Sequence, residues 1–108
     1  MAIQKERDDL WWMGQGWEDY LYWQANDPKK VEAINDLITD IRRNPWAGLG
    51  KPEPLKANWA GWWSRRITIE HRLVYRLFDM DKPGKGQAKP GKITVIQIAQ
   101  ARFHYGKK

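Results

Sequence analysis

Apolar residues recur along this chain at two different periods, and the change from one to the other falls across the proline-bearing stretch GKPEPLK at residues 50–56. Ahead of it, Trp17, Tyr20, Leu21 and Gln24 recur at helical spacing until Asn26, Asp27 and Pro28 interrupt them. Asp27 is placed as an N-cap with Pro28 at the first helical position. From there Val31, Ile34, Leu37, Ile38 and Ile41 draw one apolar stripe down to Arg43, and Asn44 and Pro45 end it. Beyond the prolines the period is two. Trp63, Arg65, Ile67 and Ile69 alternate with Trp62, Ser64, Arg66 and Thr68, the chain turns near Glu70, and residues 71–79 and 92–104 form two further β-rich runs. A short apolar run at residues 9–13, DLWWM, adds a strand that Gly14 and Gly16 break. Residues 80–91, MDKPGKGQAKPG, read as a long, mobile hairpin loop. A stripe at period 3.6 buries one side of a helix, and alternation at period two buries one face of a sheet. The pattern therefore predicts an α+β fold with two N-terminal helices packed on one face of a small, mainly antiparallel twisted sheet. Its other face is left for ligands.

The length of 108 residues allows one domain with a real core and not two. Cysteine is absent, so neither disulfides nor thiolate metal sites hold the chain together. No apolar segment resembles a signal peptide or reaches the roughly 20 residues of a membrane span, which leads us to expect a soluble cytoplasmic protein with no membrane partner. The net charge of +6 favours a polyanionic partner, and its distribution narrows the choice of surface. Between residues 51 and 76 stand Lys51, Lys56, Arg65, Arg66, Arg72 and Arg76 against only Glu53 and Glu70. The whole chain carries eight tryptophans, to be divided between packing and stacking on bases.

Within the basic third, Glu53 is the odd residue. Pro52 fixes its own φ and Pro54 bars the preceding residue from the α region, so Glu53 is held extended with little freedom. By itself this is equally a rigid surface loop or a carboxylate positioned for chemistry. Arg66, Arg72 and His104 are the other groups that the sheet would carry near it. Each alone reads as an ordinary solvent-facing or hydrogen-bonded side chain.

WEDYLYWQ, IRRNP, GKPEPLK, GWWSRRITIEHRLVY and the terminal ARFHY, in this order and spacing, closely resemble the YoeB branch of the RelE-type toxins from bacterial toxin–antitoxin pairs. The similarity runs from about residue 10 to residue 105 and is broken by the 80–91 loop. It implies a small α+β endoribonuclease, an mRNA interferase that cleaves messenger RNA in the A site of the 30S ribosomal subunit, inhibits translation and is silenced by an antitoxin. A second copy of the chain is admitted as a further partner, and no cofactor or metal is implied. By position, the PEPLK motif makes Glu53 the general base and Lys56 a phosphate-side cation. SRRIT sets Arg66 near phosphate, EHRLVY makes Arg72 the transition-state cation, and the terminal pair makes His104 the general acid with Tyr105 beside it. Lys51 and Arg65 complete the expected RNA-binding set. The chain departs from the branch in an extension over residues 1–8, in the longer 80–91 loop, and in Gly106, Lys107 and Lys108 after the usual terminal tyrosine.

The chemistry asks for the same three roles. Cleaving RNA without a metal needs a base for the 2′-hydroxyl proton, a cation for the charge growing on the phosphate oxygens and an acid for the leaving 5′-oxygen. The competing reading is a non-catalytic RNA- or ribosome-binding module, or an inactive toxin homologue; either accounts for the charge and the tryptophans, but a pure binding groove has no use for Glu53.

Overall fold

The computed structural model describes residues 9–82, 84, 86 and 91–104. Tyr105 and the three residues after it, the 1–8 extension and most of the stretch between the last two strands lie outside the described residues. The elements run β1 (Leu10–Trp12), α1 (Gly14–Asn26), α2 (Pro28–Arg43), β2 (Glu53–Pro54), a 3-10 turn (Ala57–Trp59), β3 (Trp63–Arg66), β4 (Arg72–Lys82) and β5 (Gly91–Gln100). The sheet order is β1-β5-β4-β3-β2. β1 pairs parallel to β5, and all the other neighbours are antiparallel, so the expected α+β architecture is what forms.

α2 follows its sequence closely. Asp27 accepts the backbone N–H of Lys29 at 3.2 Å and pairs with Lys30 at 2.8 Å, while Pro28 occupies the first turn, where its missing N–H removes nothing. Ile34, Leu37, Ile38 and Ile41 are buried against Leu73, Tyr75, Ile96 and Ile98 of the two central strands. Each such side chain contributes about 1.5–3 kcal/mol on leaving water.

α1 departs from expectation. Its buried residues are Gly16, Asp19 and Trp23, whereas Trp17 and Leu21 of the apolar period stay exposed. As expected, β1 does not pass the two glycines, which lie in the first turn of the helix. Gly16 lets α1 lie against β5 so closely that a Cβ at this position would stand 2.8 Å from the Ile98 carbonyl oxygen. Trp17 then packs beside Trp12 and Tyr20 at the surface.

Three further expectations are corrected. β3 ends at Arg66, because Ile67 N–H already bonds back to His71 O and Thr68 Oγ1 accepts the N–H groups of Glu70 and His71; Ile69 is therefore 82% exposed on the turn. The 80–91 segment is less of a loop than its composition indicates. The β4–β5 ladder continues through Met80↔Ile93 and Asp81↔Lys92 to Lys82↔Gly91, with Lys92 on Asp81 and Thr94 on Asp79. Nor is the second sheet face wholly free, since Leu55, Val74 and Ala99 are buried there under Trp59 and Trp62. Among the described residues no helix is long and apolar enough to cross a membrane.

Replacing Gly16 by alanine drives a methyl group into a backbone carbonyl, and we expect a loss of about 1–3 kcal/mol in urea unfolding. Gly14→Ala, with open space around it, is expected to leave the midpoint unchanged or raise it slightly.

Candidate functional site

The residues singled out from the sequence converge on one end of the sheet through strand register. In β2, Glu53 pairs with Ser64, and two residues along β3 Arg66 pairs directly with Arg72 of β4. Paired residues of an antiparallel ladder project on the same face, so Glu53, Arg66 and Arg72 share the face away from the helices. Arg66 N–H bonds to Gly50 O at 2.6 Å, which brings Lys51 alongside; Lys51 itself has a φ of 52°. Lys51, Glu53, Lys56 and Arg66 are exposed, while Arg72 and His104 are half-buried. His104 follows Phe103, whose carbonyl accepts the Arg72 N–H at 3.0 Å.

Two like charges directly opposite each other repel. The Arg72 guanidinium is steadied by its Nη1, which donates to the carbonyls of Thr68 at 2.9 Å and Ile69 at 2.8 Å. Its Nε and Nη2 have no hydrogen-bond partner among the described residues. Those donors, with the Arg66 guanidinium across the ladder, form a place where an anion relieves repulsion and gains charge-assisted hydrogen bonds. Among the described residues no group of three or more His, Asp or Glu side chains stands together as metal ligands would.

Arg65 does not join this surface, contrary to expectation. It alternates with Arg66 and so points toward the helices, where it is fully buried. Its Nη1 donates to Asp40 Oδ2 at 2.7 Å and to Leu49 O at 3.1 Å, and its Nη2 donates to Asn44 O at 2.6 Å and Ala47 O at 3.0 Å. Nε reaches the Tyr75 hydroxyl at 3.2 Å, and that hydroxyl donates onward to Pro45 O at 2.7 Å. Asp40 also accepts Leu49 N–H at 2.9 Å and Arg43. These bonds, the Leu49 N–H first, hold the Asp40 carboxyl well below the usual carboxylate range, and burial pushes the Tyr75 hydroxyl up. Arg65 thus fastens residues 44–49, the loop that delivers Lys51 and Glu53. The sequence signal for this burial is Asp40: a carboxylate beside Ile38 and Ile41 on the apolar stripe of α2 demands a buried cation.

Residues 12–105 match the family described as the YoeB-like toxin of bacterial type II toxin-antitoxin systems. The chain is 49% identical over 96 residues to Toxin YoeB of Escherichia coli K12, covering 89% of this chain and 98% of that one. Among solved structures, a YoeB/ParE toxin from Agrobacterium tumefaciens superposes with a TM-score of 0.75 at 49% identity, over 90% of this chain and 99% of that one. The Staphylococcus aureus YoeB dimer superposes with a TM-score of 0.70 at 40% identity, over 93% of this chain and the whole of the other; the same protein is also known as a heterotetrameric YoeB-YefM toxin-antitoxin complex.

Removing one partner from a buried pair leaves a buried charge and, here, unsatisfied carbonyls. We expect Arg65→Met to lower the Tm by on the order of 10 °C or more. The same pair fixes the acid limb of stability. Asp40 is depressed below its ordinary value near 3.8, so its contribution is complete above that pH and is lost as the pH falls toward the lowered value. Acid unfolding followed by circular dichroism is expected to be shallower over this window in Asp40→Asn, a variant already destabilised at neutral pH.

Proposed function

The chain belongs to the YoeB-like toxins of bacterial type II toxin-antitoxin systems, and from that premise we propose that it is a cytoplasmic endoribonuclease that cleaves messenger RNA in the ribosomal A site without a metal. The observation that carries the reading is the Arg66↔Arg72 pair on the exposed sheet face, with Glu53 diagonally across the neighbouring strand and His104 following the residue bonded to Arg72. A phosphodiester is the anion that such a pair accommodates, and a carboxylate and an imidazole flanking it have the chemistry that its cleavage needs.

In this mechanism Glu53 takes the proton of the substrate's 2′-hydroxyl, and the oxygen attacks the adjacent phosphorus. Arg72 meets the negative charge that grows on the phosphate oxygens, and His104 gives a proton to the departing 5′-oxygen. The products are a 2′,3′-cyclic phosphate and a 5′-hydroxyl. Lys51, Lys56 and Arg66 hold the flanking backbone, and Tyr105 contacts RNA beside His104. An antitoxin with an acidic segment that folds onto the basic surface would silence the protein. Its relatives' YoeB-YefM complexes and YoeB dimers support that partner and a second copy of the chain.

We expect Glu53→Ala, Arg72→Ala and His104→Ala each to keep the wild-type circular dichroism spectrum and to lose at least ~100-fold in cleavage of a defined message on translating ribosomes. Glu53→Gln separates this from a binding module: it abolishes cleavage here, whereas in a groove that only binds phosphate it spares or tightens binding. A message carrying a single 2′-deoxy nucleotide at the mapped bond is expected to bind and remain uncut there. Continued cutting of the deoxy bond would remove Glu53 from the role of base.

A further inference from the structure

β5 ends at Gln100, so the residues that lead to His104 have no strand ladder behind them. Besides the Arg72 N–H, which donates to Phe103 O at 3.0 Å, side chains hold them. From α1, the buried Asp19 carboxylate accepts the Ala101 N–H at 2.9 Å, and Trp23 Nε1–H donates to Ala101 O at 2.8 Å. Gln15 steadies the other Asp19 oxygen at 2.7 Å. Two residues further on, Phe103 N–H donates to His71 Nδ1 at 2.8 Å. Between these holds the Arg102 guanidinium lies 3.5 Å from the centre of the Tyr22 ring. Phe103 has a φ of 66°, a left-handed conformation that a bulky residue keeps only where its surroundings impose it.

The bond to Phe103 specifies the state of His71. An imidazole nitrogen accepts only when unprotonated, so the ring must be neutral with its proton on Nε2. The ring sits edge-on to Trp23, with centroids 4.9 Å apart. We propose that His71 is a positioning residue, whose neutral Nδ1 fixes the left-handed turn at Phe103 and so sets where His104 stands. The effect on reaction rate rests on the endoribonuclease reading; the effect on conformation does not.

Protonation would put an N–H against the Phe103 N–H and open the hold. The surroundings delay it: burial pushes the His71 pKa below its ordinary value, Lys30 from α2, Arg102 from the terminal segment and Arg72 from β4 push the same way, and neighbouring Glu70 opposes them. The hold is therefore complete above the ordinary histidine value near 6.5 and is lost as the pH falls through the lowered one.

Two variants separate the acceptor from the shape. His71→Asn offers an amide oxygen as acceptor near the Nδ1 position and does not titrate. His71→Phe keeps a ring against Trp23 and has no acceptor. We expect the Phe103 amide protection factor, read by NMR hydrogen exchange, to fall about tenfold in His71→Phe and in the wild type at acid pH, and to persist in His71→Asn at both pH values. In cleavage, His71→Phe is expected to lose ~10–100-fold in kcat with KM and Tm little changed, and His71→Asn to retain most of the rate with a less steep acid limb. Unaltered Phe103 protection in His71→Phe, or an equal loss in His71→Asn, overturns the proposal. Should His71→Phe fail to fold, the pH dependence of Phe103 protection in the wild type against His71→Asn decides alone. A wild type that cuts no RNA yet shows this pattern supports the hold and defeats the endoribonuclease reading.

Discussion

The buried guanidinium of Arg65 joins three parts of the molecule that no continuous secondary structure connects: β3, the carboxylate of Asp40 on α2, and the loop over residues 44–49. A guanidinium has five N–H groups in a fixed planar fork, and here they go to five acceptors, one on Tyr75, one on Asp40 and three on the loop backbone. Lysine, with three donors on one point charge, could not satisfy that set. The same arrangement explains Gly48, whose φ is 120° and where a Cβ would collide with Asp40 Oδ2. Desolvating the pair offsets much of its attraction, so its larger effect is on which structure forms. The loop carbonyls have one place to go, and residues 50–54 leave it in one direction.

That constraint reaches the site through the alternation of a strand. Arg65 and Arg66 are chemically alike and adjacent, yet one is entombed and the other is exposed, because successive residues of β3 face opposite sides of the sheet. A slip of one residue would bring Arg66 under the helices and Arg65 to the surface, and would also turn Glu53 away from Arg72. Either arginine would bring a guanidinium to Asp40, so the choice falls to the rest of the row: Trp63 and Ile67 pack on the helix side with Arg65 and would be turned out to solvent with it. The apolar members of β3 therefore fix the register on which the surface cations depend.

What the sequence revealed follows from how local each signal is. The α2 stripe, its Asp27 cap and the change of period to alternating strands are short-range patterns, and they fixed the architecture. The buried face of α1 does not show in its apolar period, because its residues are a glycine, an aspartate and one tryptophan, chosen by what β5 and Ala101 present to them. Hydrophobicity cannot register a glycine selected for close approach or a carboxylate selected for one N–H. Arg65 alternates in the row of Trp63 and Ile67, which packs on the helix side, so a count of charges by itself says nothing of its exposure. Glu53, Arg66 and Arg72 were legible as a group, since register follows from the turns. The hold on His104 was not, for it depends on a histidine accepting from a backbone N–H 32 residues away.

The two ends of the site consequently differ in what secures them. Glu53 lies on an edge strand anchored to a loop that a solvent-inaccessible ion pair fastens, so freeing it requires opening the core. His104 lies past the end of β5, in a segment tied by two hydrogen bonds at Ala101, by the His71 and Arg72 bonds at Phe103, and by an arginine resting on a tyrosine ring. Each of those bonds is worth only about 0.5–1.5 kcal/mol net, and the outer ones are exposed to water. Local opening draws on such low-stability segments long before the global transition. Glu53 thus rests on the buried network, while His104 follows a turn one of whose hydrogen bonds the protonation of a single imidazole is enough to break.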